Sequence, residues 1–202
     1  MNVNDLDALI RPPTQTAAAA LEVLRAAADP ALVNHCLRSW AWAGAIALAR
    51  GLRFDAELLY VAAMLHDLGV TPVFDSHTEP FEEAGGAVGR VFAAGAGWPP
   101  ERSERVREVI VRHMLPSVDP AQDPEGHLLE VATTLDVRGA GADDLDRGFV
   151  RDVTRLLPRL GFSEAFDTAI AGQAARKPSS QAARLHAGGG VAEGGRFWAA
   201  FD

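Results

Sequence analysis

The amino-acid sequence predicts an all-α fold from three observations. Ala-rich segments carry apolar residues at spacings of three and four, short breaks of Pro, Gly and Asp separate these segments, and apolar-polar alternation over the length of a strand is absent. The chain has 202 residues, of which 48% are hydrophobic, and this is enough to bury one sizeable core. We therefore expect a single helical domain over residues 1–202.

Eight segments have helical spacing. In chain order they cover residues 14–28, 30–50, 55–68, 81–94, 100–114, 126–138, 146–157 and 163–175, with ends good to about ±2–4 residues. Asp29 before Pro30, Asp55, and Ser163 before Glu164 place a capping oxygen or a negative charge at the start of the second, third and eighth segments. Glycines end the second, third and sixth segments, at Gly51, Gly69 and Gly139.

The remaining stretches are polar or rich in glycine and proline. Residues 70–80 and 115–125 contain several turn-forming residues, so we expect two loops there. Residues 177–193, with Ser-Ser and Gly-Gly-Gly, are expected to form a mobile tail. Residues 196–201 include three aromatic side chains and are expected to dock on the body of the domain or on a partner.

Charge and cysteine content limit the class of partner. A net charge of −8 and a pI near 5.2 argue against nucleic acid and anionic membranes, because these partners select clustered Lys and Arg. We expect a small-molecule substrate and leave a homo-oligomer open. The single cysteine, Cys36, rules out an internal disulfide and an all-thiolate zinc site. No signal peptide or apolar run of about 20 residues is present, so the cytoplasm is the expected location.

Two metal-competent side chains, His66 and Asp67, directly follow the apolar run 57–65. On a helix His66 shares a face with Leu59, and Asp67 shares one with Tyr60, so both should point into the packed interior. Burying an ionised carboxylate beside an imidazole is costly without a partner, and a bound cation is the most economical partner. The pair predicts a metal site.

Three further polar residues lie on apolar helix faces. His35, His113 and Asp136 each follow apolar residues by three or four positions. Singly, a buried His or Asp more often belongs to a satisfied structural network. Together with the His-Asp pair, however, they make three histidines and two aspartates on the apolar faces of four helices. Such ligands suit a divalent first-row metal; zinc is our first expectation, with iron, manganese and nickel as alternatives.

Five ordered elements give the chain a resemblance to a known superfamily. They are Asn34-His35-Cys-Leu-Arg38-Ser39, the run 57–69 that ends in His66-Asp67-Leu-Gly69, Phe81-Glu82-Glu-Ala-Gly85-Gly86, Ile110-Val-Arg-His113 and Ala132-Thr-Thr-Leu-Asp136-Val-Arg-Gly139. Their order resembles the HD superfamily of metal-dependent phosphohydrolases and relatives, which are all-α. The His-x-x-Arg-Ser and Phe-Glu-x-x-Gly elements resemble the cyanamide hydratase-like branch. We therefore expect one HD domain with its core over about residues 30–140, C-terminal helices over 146–176 and a Gly-rich tail over 177–202.

The resemblance implies a role for each matching residue. It assigns the ligands of one metal ion to His35, His66, Asp67 and Asp136. His113 would contact substrate or, as in binuclear relatives, help to hold a second ion. We expect one ion, because only His77 and His113 stand between the His-Asp pair and the last Asp, fewer than in those relatives.

Four residues are candidates for catalysis: Asp67, Glu82, His113 and Arg38. Asp67 could bind the metal with one oxygen and hold the attacking water with the other. Glu82 either orients the substrate or places a negative charge at a helix N-terminus. Arg38, one turn after His35, either binds an anionic group or pairs with an aspartate. His77 is either part of a lid or an exposed histidine.

The resulting functional prediction is a metal-dependent enzyme that adds water to a nitrile-like carbon, or hydrolyses a bond, in a small molecule. The alternative enzyme is a nucleotide or phosphate-ester phosphohydrolase, for which Arg38, Arg112 and Arg138 would supply positive charge. Di-iron oxygenase chemistry needs a second metal and is disfavoured by the few histidines. From a different class, a non-catalytic binding or regulatory domain could keep the metal for stability, although a structural site is typically closed to solvent.

Overall fold

The computed structural model describes residues 9–201, which form ten α-helices and no β-strand. The helices are α1 Gln15–Ala27, α2 Pro30–Arg50, α3 Ala56–Leu65, α4 Phe81–Gly95, α5 Pro100–Arg112, α6 Pro124–Arg138, α7 Arg147–Leu156, α8 Phe162–Arg176, α9 Gln181–Ala187 and α10 Gly190–Trp198. Two 3-10 turns cover Leu68–Val70 and Ala142–Asp144. The all-α prediction is confirmed.

Local capping chemistry explains where the central helices begin and end. The Asp29 and Asp55 side chains accept hydrogen bonds from the backbone N–H groups three residues later, as predicted. Gly51 and Gly139 follow α2 and α6 with φ of 64° and 73°, a left-handed conformation that glycine adopts without strain. Helix α8 begins one residue before the predicted Ser163, with Gly161 as its N-cap, and Glu164 places the expected negative charge in its first turn.

The core is organised around α2, which packs against α3 and α6. Trp42 on α2 and Tyr60 on α3 are fully buried, and α1 covers the outer face of α3. Helices α4 and α5 form an antiparallel pair beside α3. None of the helices within residues 9–201 is long and apolar enough to cross a membrane. The chemistry-bearing residues of α2, α3, α5 and α6 therefore meet inside one bundle.

Two glycines allow α4 to approach the turn that follows α3. A Cβ on Gly69 would overlap the Phe81 carbonyl oxygen, and a Cβ on Gly85 would lie 2.6 Å from the His66 carbonyl oxygen. Any larger residue would push α4 away from this turn. The glycines of two of the sequence elements thus fix the backbone around His66 and Asp67.

The structure corrects the prediction of a mobile segment at residues 177–193. Ser180 caps α9 by accepting a hydrogen bond from the Ala183 N–H at 3.2 Å, and α9 and α10 pack on α8. The predicted docking of residues 196–201 on the body is confirmed. Trp198 is 1% exposed and stacks on Trp42 with 6.2 Å between ring centroids.

Gly194 provides a test of this docking. A Cβ there would overlap the Val137 carbonyl oxygen and lie 2.7 Å from the Arg138 Cα. We expect Gly194→Ala to lower the free energy of unfolding by about 1–3 kcal/mol, measured by urea denaturation, because the backbones of α6 and α10 must separate. The control is Gly172→Ala on α8, where the added Cβ meets no atom within 4 Å. It should raise stability by up to about 1 kcal/mol through helix propensity; equal effects of the two variants would contradict close docking.

Candidate metal centre

Three predicted ligands meet where α2 passes the end of α3. His35 lies inside α2, while His66 and Asp67 directly follow the last residue of α3 and precede the Leu68–Val70 turn. All three side chains are at most 2% exposed. The predicted burial of all three side chains is therefore confirmed, although the helix predicted over residues 55–68 ends at Leu65, so His66 and Asp67 follow it instead of lying on it.

The ligand atoms of these residues form a tight triangle. The two Nε2 atoms of His35 and His66 are 3.2 Å apart, and each lies 3.3 Å from Asp67 Oδ2. Among residues 9–201 this is the only group of three or more His, Cys, Asp or Glu side chains with ligand atoms within 4.8 Å of one another. Two imidazoles and one carboxylate leave room for further ligands on a divalent ion.

Hydrogen bonds on the far side of each ring determine where its proton sits. His66 Nδ1 lies 2.8 Å from the Ala63 carbonyl oxygen, which can only accept. His35 Nδ1 lies 2.8 Å from Asp136 Oδ2, an ionised carboxylate that also only accepts. Both rings therefore carry the proton on Nδ1 when neutral, and both Nε2 lone pairs point at each other and at Asp67.

Asp67 supplies the observation that tests whether a cation fits. Both of its carboxylate oxygens are buried and have no hydrogen-bond donor among the described residues. Burial raises the pKa of Asp67, but the positive charge and N–H donors that His66 and His35 supply when protonated lower it more strongly, so the carboxylate is ionised. When both histidines are neutral, three sets of lone pairs face one point and repel one another unless a metal cation takes the place of those protons. The donor set fits a divalent metal ion.

Asp136, the fourth predicted ligand, lies behind His35 and not at this triangle. Its oxygens accept hydrogen bonds from Arg38 Nε at 2.7 Å, Arg38 Nη2 at 2.8 Å and Trp42 Nε1 at 2.9 Å, in addition to His35 Nδ1. Arg159 Nη1 adds a contact at 3.4 Å. Burial raises the pKa of Asp136, but the Arg38 guanidinium outweighs this and holds it well below its usual range. The structure therefore places Asp136 as the carboxylate that orients the His35 ring.

Arg38, predicted as a catalytic candidate, takes the second of its two expected roles. It is fully buried, pairs with Asp136 through two N–H groups and donates a third to the Leu157 carbonyl oxygen at 3.0 Å. Its guanidinium thus faces the loop after α7 and not the metal cluster. Arg38 thus positions the Asp136 carboxylate, which in turn orients the His35 ring.

His113 approaches the cluster from the end of α5. Its Nδ1 donates to the Ile110 carbonyl oxygen, and its Nε2 lies 3.6 Å from Asp67 Oδ1. Burial and the nearby His66 lower the pKa of His113 to about 4, so the ring is neutral at pH 7. The structure thus brings His113 beside the free oxygen of Asp67, as a neutral base facing the cluster.

The other two candidates, Glu82 and His77, make no hydrogen bond to the cluster within the described residues. Glu82 occupies the first turn of α4, is 5% exposed, and its Oε2 has no hydrogen-bond partner among residues 9–201. Burial raises its pKa. His77 is exposed in the loop after the cluster, which Asp75 anchors to α8 by accepting from Gln173 Nε2 at 2.8 Å. A catalytic role for Glu82 stays a prediction.

The cluster lies at the buried end of a cavity of about 320 Å³. His113 and the residues after it form one wall, α6 forms a second, and α8 and α9 close the third. Glu130 and Thr133 are buried in the α6 wall, whereas Arg138 and Arg184 are exposed. A small molecule can therefore reach the metal-binding atoms from solvent.

Comparison with known proteins agrees with this site. The HD domain family matches residues 32–139, a segment that contains all five sequence elements from His35 to Asp136. The chain belongs to the HD domain family. It is 30% identical over 176 residues to cyanamide hydratase DDI2 and to cyanamide hydratase DDI3 of Saccharomyces cerevisiae, an alignment that covers 85% of this chain and 78% of each relative. The expected cyanamide hydratase-like branch is thus supported.

Two residues beyond the matched HD segment also hold the centre together, and sequence reasoning missed both. Phe162 stacks on the His35 ring with 4.3 Å between centroids and 10° between planes. The Arg159 guanidinium contacts the Asp136 carboxylate and lies 4.7 Å from the centre of the Trp198 ring. Arg159 lies between helices, where periodicity gives no signal; a cation close to a buried aspartate could be found only once the fold was known.

Asp67 and Asp136 can be separated by experiment, because one is unpartnered and the other is surrounded by donors. We expect Asp136→Asn to lower the free energy of unfolding of the metal-free protein by about 3–5 kcal/mol, because two buried guanidinium groups lose their counter-charge. Its metal affinity should fall about 10–100-fold. Asp67→Asn should lose at least as much affinity without lower metal-free stability at pH 8. Urea denaturation in chelator and competition with a metallochromic dye measure the two quantities; similar stability losses would contradict these roles.

Glu130 should make stability depend on pH. Burial raises the pKa of Glu130 to about 7, so between pH 4.5 and 7 the folded state holds this proton more tightly than the unfolded state. Its contribution to stability is complete below pH 4.5 and is lost as pH rises through 7. We expect Glu130→Gln, in chelator, to gain about 2 kcal/mol over the parent protein between pH 4.5 and 8. The exposed Glu193→Gln is the control, and a pH-independent difference for Glu130→Gln would contradict the assignment.

Proposed function

We propose that this protein is a metal-dependent hydratase that adds water to the carbon of a nitrile group in a small molecule. The observation that carries the proposal is the buried triangle of His35, His66 and Asp67 at the inner end of an open cavity. The relatives named cyanamide hydratase, which align over most of this chain, support nitrile hydration over other reactions of the fold. Because fold alone does not determine chemistry, the residues of the site have to account for the reaction.

His35, His66 and Asp67 would hold one divalent cation, and zinc is our first choice for it. When bound, such a cation lowers the pKa of a coordinated water toward ~7 and supplies hydroxide at neutral pH. The Asp136 carboxylate keeps the His35 proton on Nδ1, and the Ala63 carbonyl does the same for His66. Both Nε2 lone pairs are therefore presented together.

Asp67 and His113 are placed to handle protons. Asp67 Oδ2 faces the two histidines, whereas Oδ1 faces His113 Nε2 at 3.6 Å. Oδ1 can accept a proton from the attacking water, and the neutral His113 ring can accept a hydrogen bond from a substrate N–H group. The overall change is addition of O–H to carbon and of H to nitrogen across one carbon-nitrogen bond, so water is the only co-substrate.

Phosphate-ester hydrolysis is the second candidate function. Two of the three arginines expected to support it have other partners, since Arg38 pairs with Asp136 and Arg112 with Asp123. Arg138 does line the cavity, and Arg184 on α9 lines it too. These two cations are the observation that keeps the candidate open. A purely structural metal is disfavoured, because the ligand atoms face a cavity and not a closed core.

Cyanamide hydration provides the direct test. Protein loaded with Zn²⁺, Fe²⁺, Mn²⁺ or Ni²⁺ should convert cyanamide to urea with at least one of these ions, and His66→Ala and Asp67→Asn should each lower kcat/KM at least about 100-fold. His77→Ala, which changes an exposed histidine outside the cavity, is the matched control and should retain parental activity. Phosphate release from nucleoside monophosphates without urea formation would transfer the assignment to the second candidate.

A further inference from the structure

The cavity beside the cluster is larger than cyanamide requires. Its volume of about 320 Å³ equals the space of roughly ten water molecules, whereas cyanamide has three non-hydrogen atoms. Ligand pockets for drug-sized molecules begin at about 300 Å³. If the proposed function places a nitrile at the cluster, most of the cavity is left for the group that carries the nitrile.

The walls describe the body of that group. Phe166 of α8 and Val137 of α6 are buried in the cavity wall, and Met114 and Leu185 are half-buried further out. Side chains of this kind favour an apolar body, since each contact removes apolar surface from water. Phe166 and Leu185 come from helices beyond the matched HD segment 32–139, so this wall is built by a different part of the chain from the one that carries the metal ligands.

Two arginines describe the far end of the ligand. Arg138 and Arg184 are exposed at the mouth, and neither has an Asp or Glu oxygen within 4 Å in the part of the chain that the structure describes; Arg184 only donates to Gln181 Oε1 at 3.1 Å. Of the other sixteen arginines, eleven are paired with a carboxylate. In a protein of net charge −8, two uncompensated cations at one opening create a local positive field that attracts anions.

The positive charge is confined to the mouth. Glu130, the carboxylate in the same α6 wall, comes eight residues before Arg138, which corresponds to about 12 Å along a helix. Asp67 lies at the buried end. An anionic group is therefore favoured beside Arg138 and Arg184 and disfavoured deeper in the cavity.

We propose that the substrate is a nitrile with an apolar body and an anionic group, in which Arg138 and Arg184 bind the anion while the nitrile lies at the cluster. The proposal rests on the hydratase function and adds the class of substrate to it. An arginine pair suits a carboxylate or a phosphate ester equally well, so both are included in the test.

Binding to metal-free protein tests the substrate class without turnover. With the ion removed by chelator, a carboxylate cannot bind by coordinating metal. Calorimetry should give benzoate at least fivefold tighter binding than benzamide, which has the same body without the charge, and tighter binding than acetate, which lacks the body. For the phosphate case, the same measurement compares phenyl phosphate with the uncharged benzyl alcohol, and phenyl phosphate should bind more tightly. Arg138→Gln combined with Arg184→Gln should remove the preference for either anion, whereas Arg151→Gln, an exposed arginine on α7 with the same charge change, should not.

The outcomes separate this inference from the proposed function. Two results would overturn the substrate class. The first is equal binding of benzoate and benzamide together with equal binding of phenyl phosphate and benzyl alcohol. The second is an anion preference that survives in the double variant while its unfolding midpoint is unchanged. Urea formation from cyanamide without any anion preference would overturn the substrate class alone. An anion preference together with faster hydration of 4-cyanobenzoate than of benzonitrile by the metal-loaded protein would support both, and the same preference without hydration of any nitrile would overturn the hydratase function alone.

Discussion

The Asp136 carboxylate is the interaction on which the rest of the site depends. An ionised carboxylate with no exposed surface is tolerated only when its oxygens are fully paired, and here the donors come from two separate parts of the chain. Arg38 and Trp42 approach from α2, and Arg159 approaches from the turn before α8. Because Asp136 itself lies on α6, its pairing brings these two segments together with α6, and loss of a donor would leave a buried oxygen with fewer hydrogen bonds.

The same carboxylate links stability to chemistry through His35. By accepting a hydrogen bond from the His35 Nδ1–H group, Asp136 directs the Nε2 lone pair toward His66 and Asp67. Phe162 stacks on the ring and restricts its rotation. When both histidines are neutral, the convergence of three unprotonated ligand atoms is unfavourable without a cation, so the folded chain is preorganised to bind a metal ion. His35 therefore has two roles: its Nδ1 side pairs with Asp136, and its Nε2 side is available to a metal ion.

Helical periodicity pointed to the three residues of the ligand triangle and to Asp136, but it did not give all of their roles and missed Phe162 and Arg159. Register places His35, His66 and Asp67 on inward faces because it follows from residues per turn alone. It places Asp136 inward as well, yet it does not tell which nitrogen of a neighbouring imidazole the carboxylate meets. Composition misled at residues 177–193, where glycine was taken as flexible. Gly194, in the adjoining part of α10, shows the other use of glycine, since only hydrogen fits against the α6 backbone.

These contacts indicate different roles for the HD segment, residues 32–139, and for the helices that follow it. Residues 32–139 carry the three candidate metal ligands and match the HD family. Helices α8 and α9 contribute cavity walls, through Phe166 and Arg184, and α8 also reaches the ligand triangle, because Phe162 stacks on the His35 ring. The turn before α8 is tied to the centre as well, since Arg159 contacts Asp136 and donates to Ser163 Oγ of α8 at 3.2 Å. Substitutions in the α9 wall can therefore change which molecule enters the cavity while the buried aspartate keeps the metal-binding atoms in place.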